Sequence, residues 1–537
     1  MIADLGTRDG EVYAPADGVL LSEPLADAVA TNLERDEARA RQDRRGEDRF
    51  GRSRERFELI LDWLASEESG GLEHSDLESR LQSDGRALLR VLFQDHLDLR
   101  AAGELRVDRV EDSAGVARGA VESGHHRPLG TVFGEVTVTR LAYRRREEEN
   151  LYVADGVLNL PAEHASHGVR RLAAVESSRG SFDDALDQVR ERTGLRIGKR
   201  QIEGLADRAA LDFEEFYASR EREPTAAEDA LVLTADGKGI VMRPDALRPA
   251  TAQAAARASP KLKTRLSRGE KRNRKRIAEV GAVYEIVPAV RTAAEVLSSS
   301  EEKTAPAPRA KAKWLTASVV QDAAAVVADI FQEAERRDPE HRRTWVALVD
   351  GNNHQLDRIQ AEAKSRKVKI HVVVDFVHVL EYLWSAAWCF HKEADPAAEQ
   401  WVHEKALAVL EGNAGIVAAA IRRKATRLQL DGDKRSSADR AANYLLNKRR
   451  YLDYPTALSS GWPIATGIIE GACRHLIKDR MDITGARWGL GGAEAILKLR
   501  AIRSNGDFDE YWTYHLTKER QRNHESHYAN GIIPTAA

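Results

Sequence analysis

Three acidic residues interrupt or end apolar runs: Asp236 in LVLTADGKGIVM, Asp350 in WVALVD and Glu470 in IIEGAC. Carboxylates supplied by separate elements suit one chemistry above others. Two divalent ions about 3.5–4 Å apart need acids from different elements to bridge and flank them. Mg2+ favours such hard oxygen ligands and keeps several waters. Ions held in this way activate water or a 3′-hydroxyl against a phosphodiester, and no His or Cys nucleophile is needed. Each acid also has a bland reading. Asp236-Gly237 and Asp350-Gly351 are common turn pairs, and Glu470 could pair with Arg474 one helical turn on. The order of the three along the chain, rather than any one of them, makes the case.

Elements that can position these acids are legible around them. Leu231–Met242 and Arg276–Val287 read as strands, Ala317–Arg336 as a helix, and Trp345–Asp350 and Ile370–Asp375 as buried strands ending in acid. Strands, helix, strand, helix, strand describe a mixed α/β sheet, whose strand ends are where ligands gather. Asp375 is a natural N-cap for the helix beginning at Phe376. The next 80 or so residues read as helical, so 376–459 is expected to be a helical insertion. Beyond it, apolar residues at 469, 472, 473, 476 and 477 keep helical spacing and bury one face of the Glu470 helix.

Upstream, 1–125 reads as mainly helical, with stripes in RERFELILDWLA and from Asp84 to Leu97. A β-hairpin unit is expected at 126–165, from a strand through Val136 and Val138 and a second over Leu151–Leu160. Residues 166–225 hold two helices around Thr193-Gly194, the first capped by Ser181 with Asp184 three residues on. This fits a helix-turn-helix presenting Lys199, Arg200 and Gln201 to a groove, although any helical hairpin has the same pattern. The remaining boundaries fall at 228–375 for the first part of the sheet domain and 460–537 for the Glu470 helix and C-terminal tail.

Composition narrows the class. Charged residues are 31% of the 537, and 82 Lys and Arg against 85 Asp and Glu leave a net charge of −3. That balance hides a basic stretch, KLKTRLSRGEKRNRKR at 261–276, suited to phosphate contact through Lys271, Arg272, Arg274, Lys275 and Arg276. Arg474, Lys478 and Arg487 add positive charge behind Glu470. Cys389 and Cys473 are the only cysteines, which excludes a thiolate zinc site and a disulfide framework. No apolar run reaches membrane-span length, and the N-terminus lacks the pattern of a signal peptide. A cytoplasmic protein without membrane association is expected.

The strings TADGKGIVMR, VDGNNHQ, DFVHVLEYLW and above all IIEGACRHLIKDRMDITGARWGL resemble DDE transposases of bacterial insertion sequences, specifically the ISKra type, over about residues 130–515. The resemblance implies a ribonuclease H-like catalytic domain interrupted by a helical insertion, preceded by a mainly helical DNA-binding region with a small β-hairpin. It implies Asp236, Asp350 and Glu470 as catalytic ligands of two Mg2+, with Mn2+ able to substitute. Asp375 and His378 are similar to the Asp/Cys-x-x-His motif of Mutator-like transposases and would support the site or touch DNA from its rim. The implied partners are terminal inverted repeats and target DNA, held by a homodimer or larger assembly. Two rivals stand beside this reading: a transposase-derived DNA-binding protein without catalysis, and a ribonuclease H-like nuclease acting on DNA junctions.

Overall fold

A computed structural model describes residues 6–8, 11–13, 49–221, 228–257, 262, 264–265, 267, 274–298, 306–483 and 485–536. The chain divides into two compact units, 1–158 with 525–537, and 159–524. The protein is mixed α/β, 56% helical and 16% strand. No helix among the described residues is long and apolar enough to cross a membrane.

In the first unit, α1 (Gly51–Leu64) packs on the long α2 (His74–Ala102). A hairpin of β1 (Ala120–Thr131) and β2 (Gly134–Arg144) lies against α2. Gln94 on α2 fixes this contact twice, donating to Thr137 O at 2.9 Å and accepting from Thr137 N at 2.8 Å. The strand through Val136 and Val138 is therefore present, but its partner precedes it. Leu151–Leu160 makes one bridge, from Leu151 to Tyr143, and then a helical turn at Val153–Val157. That turn points Asp155 inward to Arg140 at 2.6 Å. The true partner strand, AVESGHHRPLGT, has too polar a pattern to announce itself.

The second unit is built on a five-stranded sheet. Its strands are β3 (Ala230–Val241), β4 (Lys275–Ile286), β5 (Ala310–Ser318), β6 (Trp345–Val349) and β7 (Ile370–Val374), in the order β5-β4-β3-β6-β7. The first three form an antiparallel meander, whereas β6 and β7 run parallel to β3. Helix α3 (Ala323–Arg337) leads into β6 and α4 (Asn353–Ser365) into β7. The end of strand β5 stands where the helix was expected to start at Ala317. Its Lys-rich outer half hides the pattern, while Trp314 to Ser318 are buried. The helix begins only after Asp322, whose side chain caps Ala325 N at 2.9 Å. Helix α3 lies so close to the sheet that a Cβ at Gly281 would meet Ile330 at 2.5 Å. Only glycine fits there.

After β7 the chain is helical as expected: α5 (Phe376–Ala387), α6 (Pro396–Leu410), α7 (Ala414–Arg427) and α8 (Gly432–Lys448), then a short helix Tyr454–Ser459. Their apolar faces share one core with the sheet. The region after Glu470 is more than a tail. Helix α9 (Leu490–Asn505) buries Ala493, Ile496, Leu497, Leu499 and Ile502, and α10 (Phe508–Asn523) follows.

The candidate helix-turn-helix belongs to this same body. Ser181 caps its first helix (Phe182–Thr193) in a capping box with Asp184, and Gly194 ends it at φ 74°. The second helix (Lys199–Ala209) buries Ile202, Leu205, Ala206 and Ala209 and packs on α9.

An ionic network ties these helices to α10. Arg170, fully buried, donates to Glu519 at 2.6 Å and to His515 Nε2 at 3.0 Å. His515 Nδ1 in turn binds Asp212 at 2.6 Å. Burial alone would raise the Glu519 carboxyl, but Arg170, Arg208 and His515 outweigh it and hold it at about 2. A carboxyl depressed in the fold contributes stability above its ordinary range and loses it as pH falls toward the folded value. Glu519→Gln should therefore lower unfolding stability by about 3 kcal/mol at pH 7, since it leaves Arg170 buried without its charge partner. Urea denaturation at a series of pH values should also show a shallower fall in stability from about pH 4.5 to 2 than in wild type.

Candidate metal centre

The sheet register decides where the acids stand. Leu233 pairs with Ala347 on the parallel neighbour in the last pair of that ladder, and counting three residues on along each strand reaches Asp236 and Asp350. Val349 pairs with Val374, so one residue further sets Asp350 level with Asp375. Counted in this way, the three acids stand at equivalent positions of one row across β3, β6 and β7. The row sits where β3 parts from β6: their pairing ends at Leu233, and the Gln355 side chain donates to Ala235 O beyond it. Parallel strand ends flanking such a gap are a favoured place for ligands.

Asp236 is not at a strand end, as its Asp-Gly turn signal suggested. It lies inside β3, paired with Val280, and Gly237 continues the ladder with Glu279. Its Oδ1 accepts from Gly237 N at 2.7 Å, and its Oδ2 from the Cys473 thiol at 3.4 Å. Burial first, then the charge of Asp236 and this bond, push the Cys473 thiol up, so it stays a donor. Asp350 does end its strand. Its Oδ1 accepts from Asn352 N at 2.7 Å, and Gly351 takes φ 90°.

Asp375 is fully buried. It caps α5 by accepting from Val377 N at 2.9 Å, and its Oδ2 takes His378 Nδ1 at 2.9 Å and the Thr466 hydroxyl at 2.6 Å. Burial alone would raise this carboxyl, but His378, Thr466 and the Val377 amide outweigh it and bring it below the usual range. The bond to Asp375 lifts His378 to about 9 against its partial burial. Of the two roles expected for Asp375 and His378, supporting the site or touching DNA from its rim, the second is closed to the Asp375 side chain, which has no exposed surface.

Glu470 joins this group from the far side of the insertion. It sits on a helix (Gly467–Ala472) that widens into a π-helical turn over Cys473–Lys478. Ile469, Ala472, Cys473, Leu476 and Ile477 are buried as their spacing required. Glu470 itself is exposed, with Oε1 3.4 Å from the Thr466 hydroxyl. The ion pair of Arg474 goes to Asp479 at 3.8 Å, and the Glu470 carboxylate lies by Asp375 and His378.

Ligand atoms of Asp375, His378 and Glu470 lie within 4.8 Å of one another. Among the described residues no other set of His, Cys and acids clusters this tightly. Asp236 and Asp350 stand outside that set, in the row beside it. The donors are oxygens plus one imidazole, which suits Mg2+ or Mn2+ and has no soft ligand. His378 binds Asp375 through Nδ1, and ligation of a metal through Nε2 would displace the proton that its bond to Asp375 favours. Thr466 and Cys473 escaped the sequence reading. Thr466 precedes Glu470 by one helical turn, and that spacing was the available signal.

The candidate DNA contacts are mixed. Lys199, Arg200 and Gln201 are exposed, but Lys199 pairs with Asp183 at 2.6 Å and Gln201 accepts from Gly198 N at 2.7 Å. Arg474, Lys478 and Arg487 are exposed. Lys271 and Arg272 lie outside the described residues. Arg274 is half-buried, and Lys275 pairs with Asp482 at 2.7 Å. Arg276 donates to Val319 O at 2.7 Å and Ala246 O at 3.3 Å. The end of the basic stretch is thus strand β4, and Arg276 is held against main chain instead of reaching into solvent. Compared with known proteins, the chain matches no family model and no curated protein.

The raised His378 gives the centre a pH signature. A histidine raised in the fold contributes stability that is complete below its ordinary value near 6.5 and lost as pH rises through about 9. Denaturant melts should show wild type losing stability between pH 6.5 and 9, and His378→Gln losing less over the same interval. Asp375→Asn should cost about 3 kcal/mol or more near neutrality, because it leaves the His378 charge and the Thr466 hydroxyl poorly matched.

Proposed function

We propose that this protein is a DDE-type transposase, cutting DNA at the ends of its own insertion sequence and joining them to a target. The observation that carries this reading is the row of Asp236, Asp350 and Asp375, completed by Glu470 from beyond an all-helical insertion. Further support comes from the sheet itself. An antiparallel meander followed by two parallel strands suits a ribonuclease H-like reading, and β6, whose last residue Val349 precedes Asp350, follows the first long helix. On this reading Asp236, Asp350 and Glu470 would hold two divalent ions, Mg2+ or Mn2+, which when bound would activate a water or 3′-hydroxyl and neutralise charge at phosphorus.

The chain's own residues set up that chemistry. The Gly237 amide and the Cys473 thiol orient the Asp236 carboxylate. The Asn352 amide takes one oxygen of Asp350. Asp375 and Thr466 hold His378 and Glu470 beside each other. Exposed Arg474, Lys478 and Arg487 follow Glu470 in sequence and suit the phosphate backbone. Lys199, Arg200 and Gln201 remain the candidate readers of the terminal repeat. Two ends must be held together for joining, so a dimer or larger assembly is the working form.

The test is cleavage of a supercoiled plasmid carrying the DNA that flanks the gene. With Mg2+ the full chain should nick or cut at one position on each flank. Asp236→Asn, Asp350→Asn and Glu470→Gln should each reduce cutting at least 100-fold while gel-shift affinity for the flank stays within about twofold, as expected when an essential metal ligand is lost. Unchanged cutting in all three variants would sink the reading. Binding to the flank without cutting by wild type would point instead to a DNA-binding protein derived from a transposase.

A further inference from the structure

The helical insertion reaches back to the row of acids, and it does so with tyrosines. Tyr444 on α8 donates its hydroxyl to the carbonyl of Asp350 at 3.0 Å. Its ring stacks on Tyr382 of α5, with centroids 4.0 Å apart and planes at 20°. The same hydroxyl lies 2.9 Å from where a Cβ on Gly351 would be. Gly351 thus needs its missing side chain both for its φ of 90° and for the approach of Tyr444. One turn along α8, buried Lys448 donates to Asn353 Oδ1 at the start of α4. Tyr454, fully buried, donates to Val374 O at 2.8 Å, one residue before Asp375. Residues on both sides of the Asp350 turn, and the strand end before Asp375, are therefore gripped from the insertion.

We infer that the insertion is a brace for the acid row, and that Tyr444 is a positioning residue that fixes the Asp350 turn for a divalent ion. The role of the ion rests on the function proposed above. The physical grounds do not. Asp350 is followed by a glycine with positive φ, a conformation that holds no side chain in place by itself. Its carboxylate is aimed by the Asn352 amide on one side, and its carbonyl by Tyr444 on the other. Losing the second bond lets the peptide between Asp350 and Gly351 rotate, which shifts the Asn352 amide downstream and loosens its hold on the carboxylate. Stacking on Tyr382 keeps the Tyr444 ring from following that rotation. A packing role alone would need the ring but not the hydroxyl, so Tyr444→Phe separates the two.

The experiment uses the full chain without DNA and two readouts. Hydrogen exchange of the Gly351–Asn353 amides reports the grip directly, and Mn2+ binding by electron paramagnetic resonance reports its consequence. Tyr444→Phe should speed exchange in that turn at least fivefold and weaken Mn2+ binding three- to tenfold. Leu445→Ala, a core truncation one residue along α8, should lower the Tm more than Tyr444→Phe yet leave Mn2+ affinity within twofold. Exchange or Mn2+ affinity unchanged in Tyr444→Phe overturns the brace, and so does an equal loss of affinity in Leu445→Ala. Wild type that binds no Mn2+, or Asp350→Asn that binds it as well as wild type, overturns the metal reading underneath but not the grip of Tyr444 on the turn. Faster exchange in Tyr444→Phe would still appear in that case, so the two failures are told apart.

Discussion

Asp375 is a carboxylate with no solvent contact, and much of the second unit is arranged to make that tolerable. Removing such a charge from water costs several kcal/mol unless its lone pairs are met by hydrogen bonds and an opposite charge. The Val377 amide, the His378 ring and the Thr466 hydroxyl meet that need. The first two come from the helix that Asp375 itself starts. The third comes from a segment 91 residues later. Thr466 must approach the sheet to complete the set, and Glu470, four residues on, is brought along with it. The position of the last acid is thus fixed by the solvation of another one.

That arrangement explains how a long helical segment can interrupt the centre without loosening it. Phe376 N donates to Ile464 O at 2.8 Å, so the insertion leaves and re-enters the sheet body at nearly one point. Closing a loop costs free energy that grows only slowly with its length. The larger question is whether the closed loop keeps its shape. Here its helices share a core with β6 and β7, and Tyr444, Lys448 and Tyr454 tie it to the strand ends. An insertion held this way stiffens the acids it separates.

Much of this was legible in the sequence wherever one physical signal dominated. Apolar runs of Val, Ile and Leu announced β3, β6 and β7, and helical spacing announced the insertion and the buried face beside Glu470. The capping box at Ser181 and the cap at Asp375 were readable because they are local bonds. Signals failed where the partner was distant or the composition misled. Strand β5 hides in Ala and Lys because only its inner half is buried. Strand β1 hides in His, Arg and Glu. The row of acids needed the register, which no spacing along the chain reveals. The Cys473 and Tyr444 bonds span 237 and 94 residues and depend on tertiary approach alone.

Cys473 bonds Asp236 on β3, whereas Glu470 lies with Asp375 at the end of β7. The buried face of the helix that carries them, with Ile469, Ala472, Cys473, Leu476 and Ile477, packs with Ile240 of β3 and with Ala278, Val280 and Ala282 of β4. Glu470 is therefore carried on a helix seated on the antiparallel half of the sheet, and its carboxylate lies by Asp375 and His378 at the parallel half. Asp350 closes the strand between Asp236 and Asp375 in sheet order. Its turn is held by its own Asn352 amide and by Tyr444 of the insertion, so the helix that brings Glu470 and the helices that brace Asp350 are different elements.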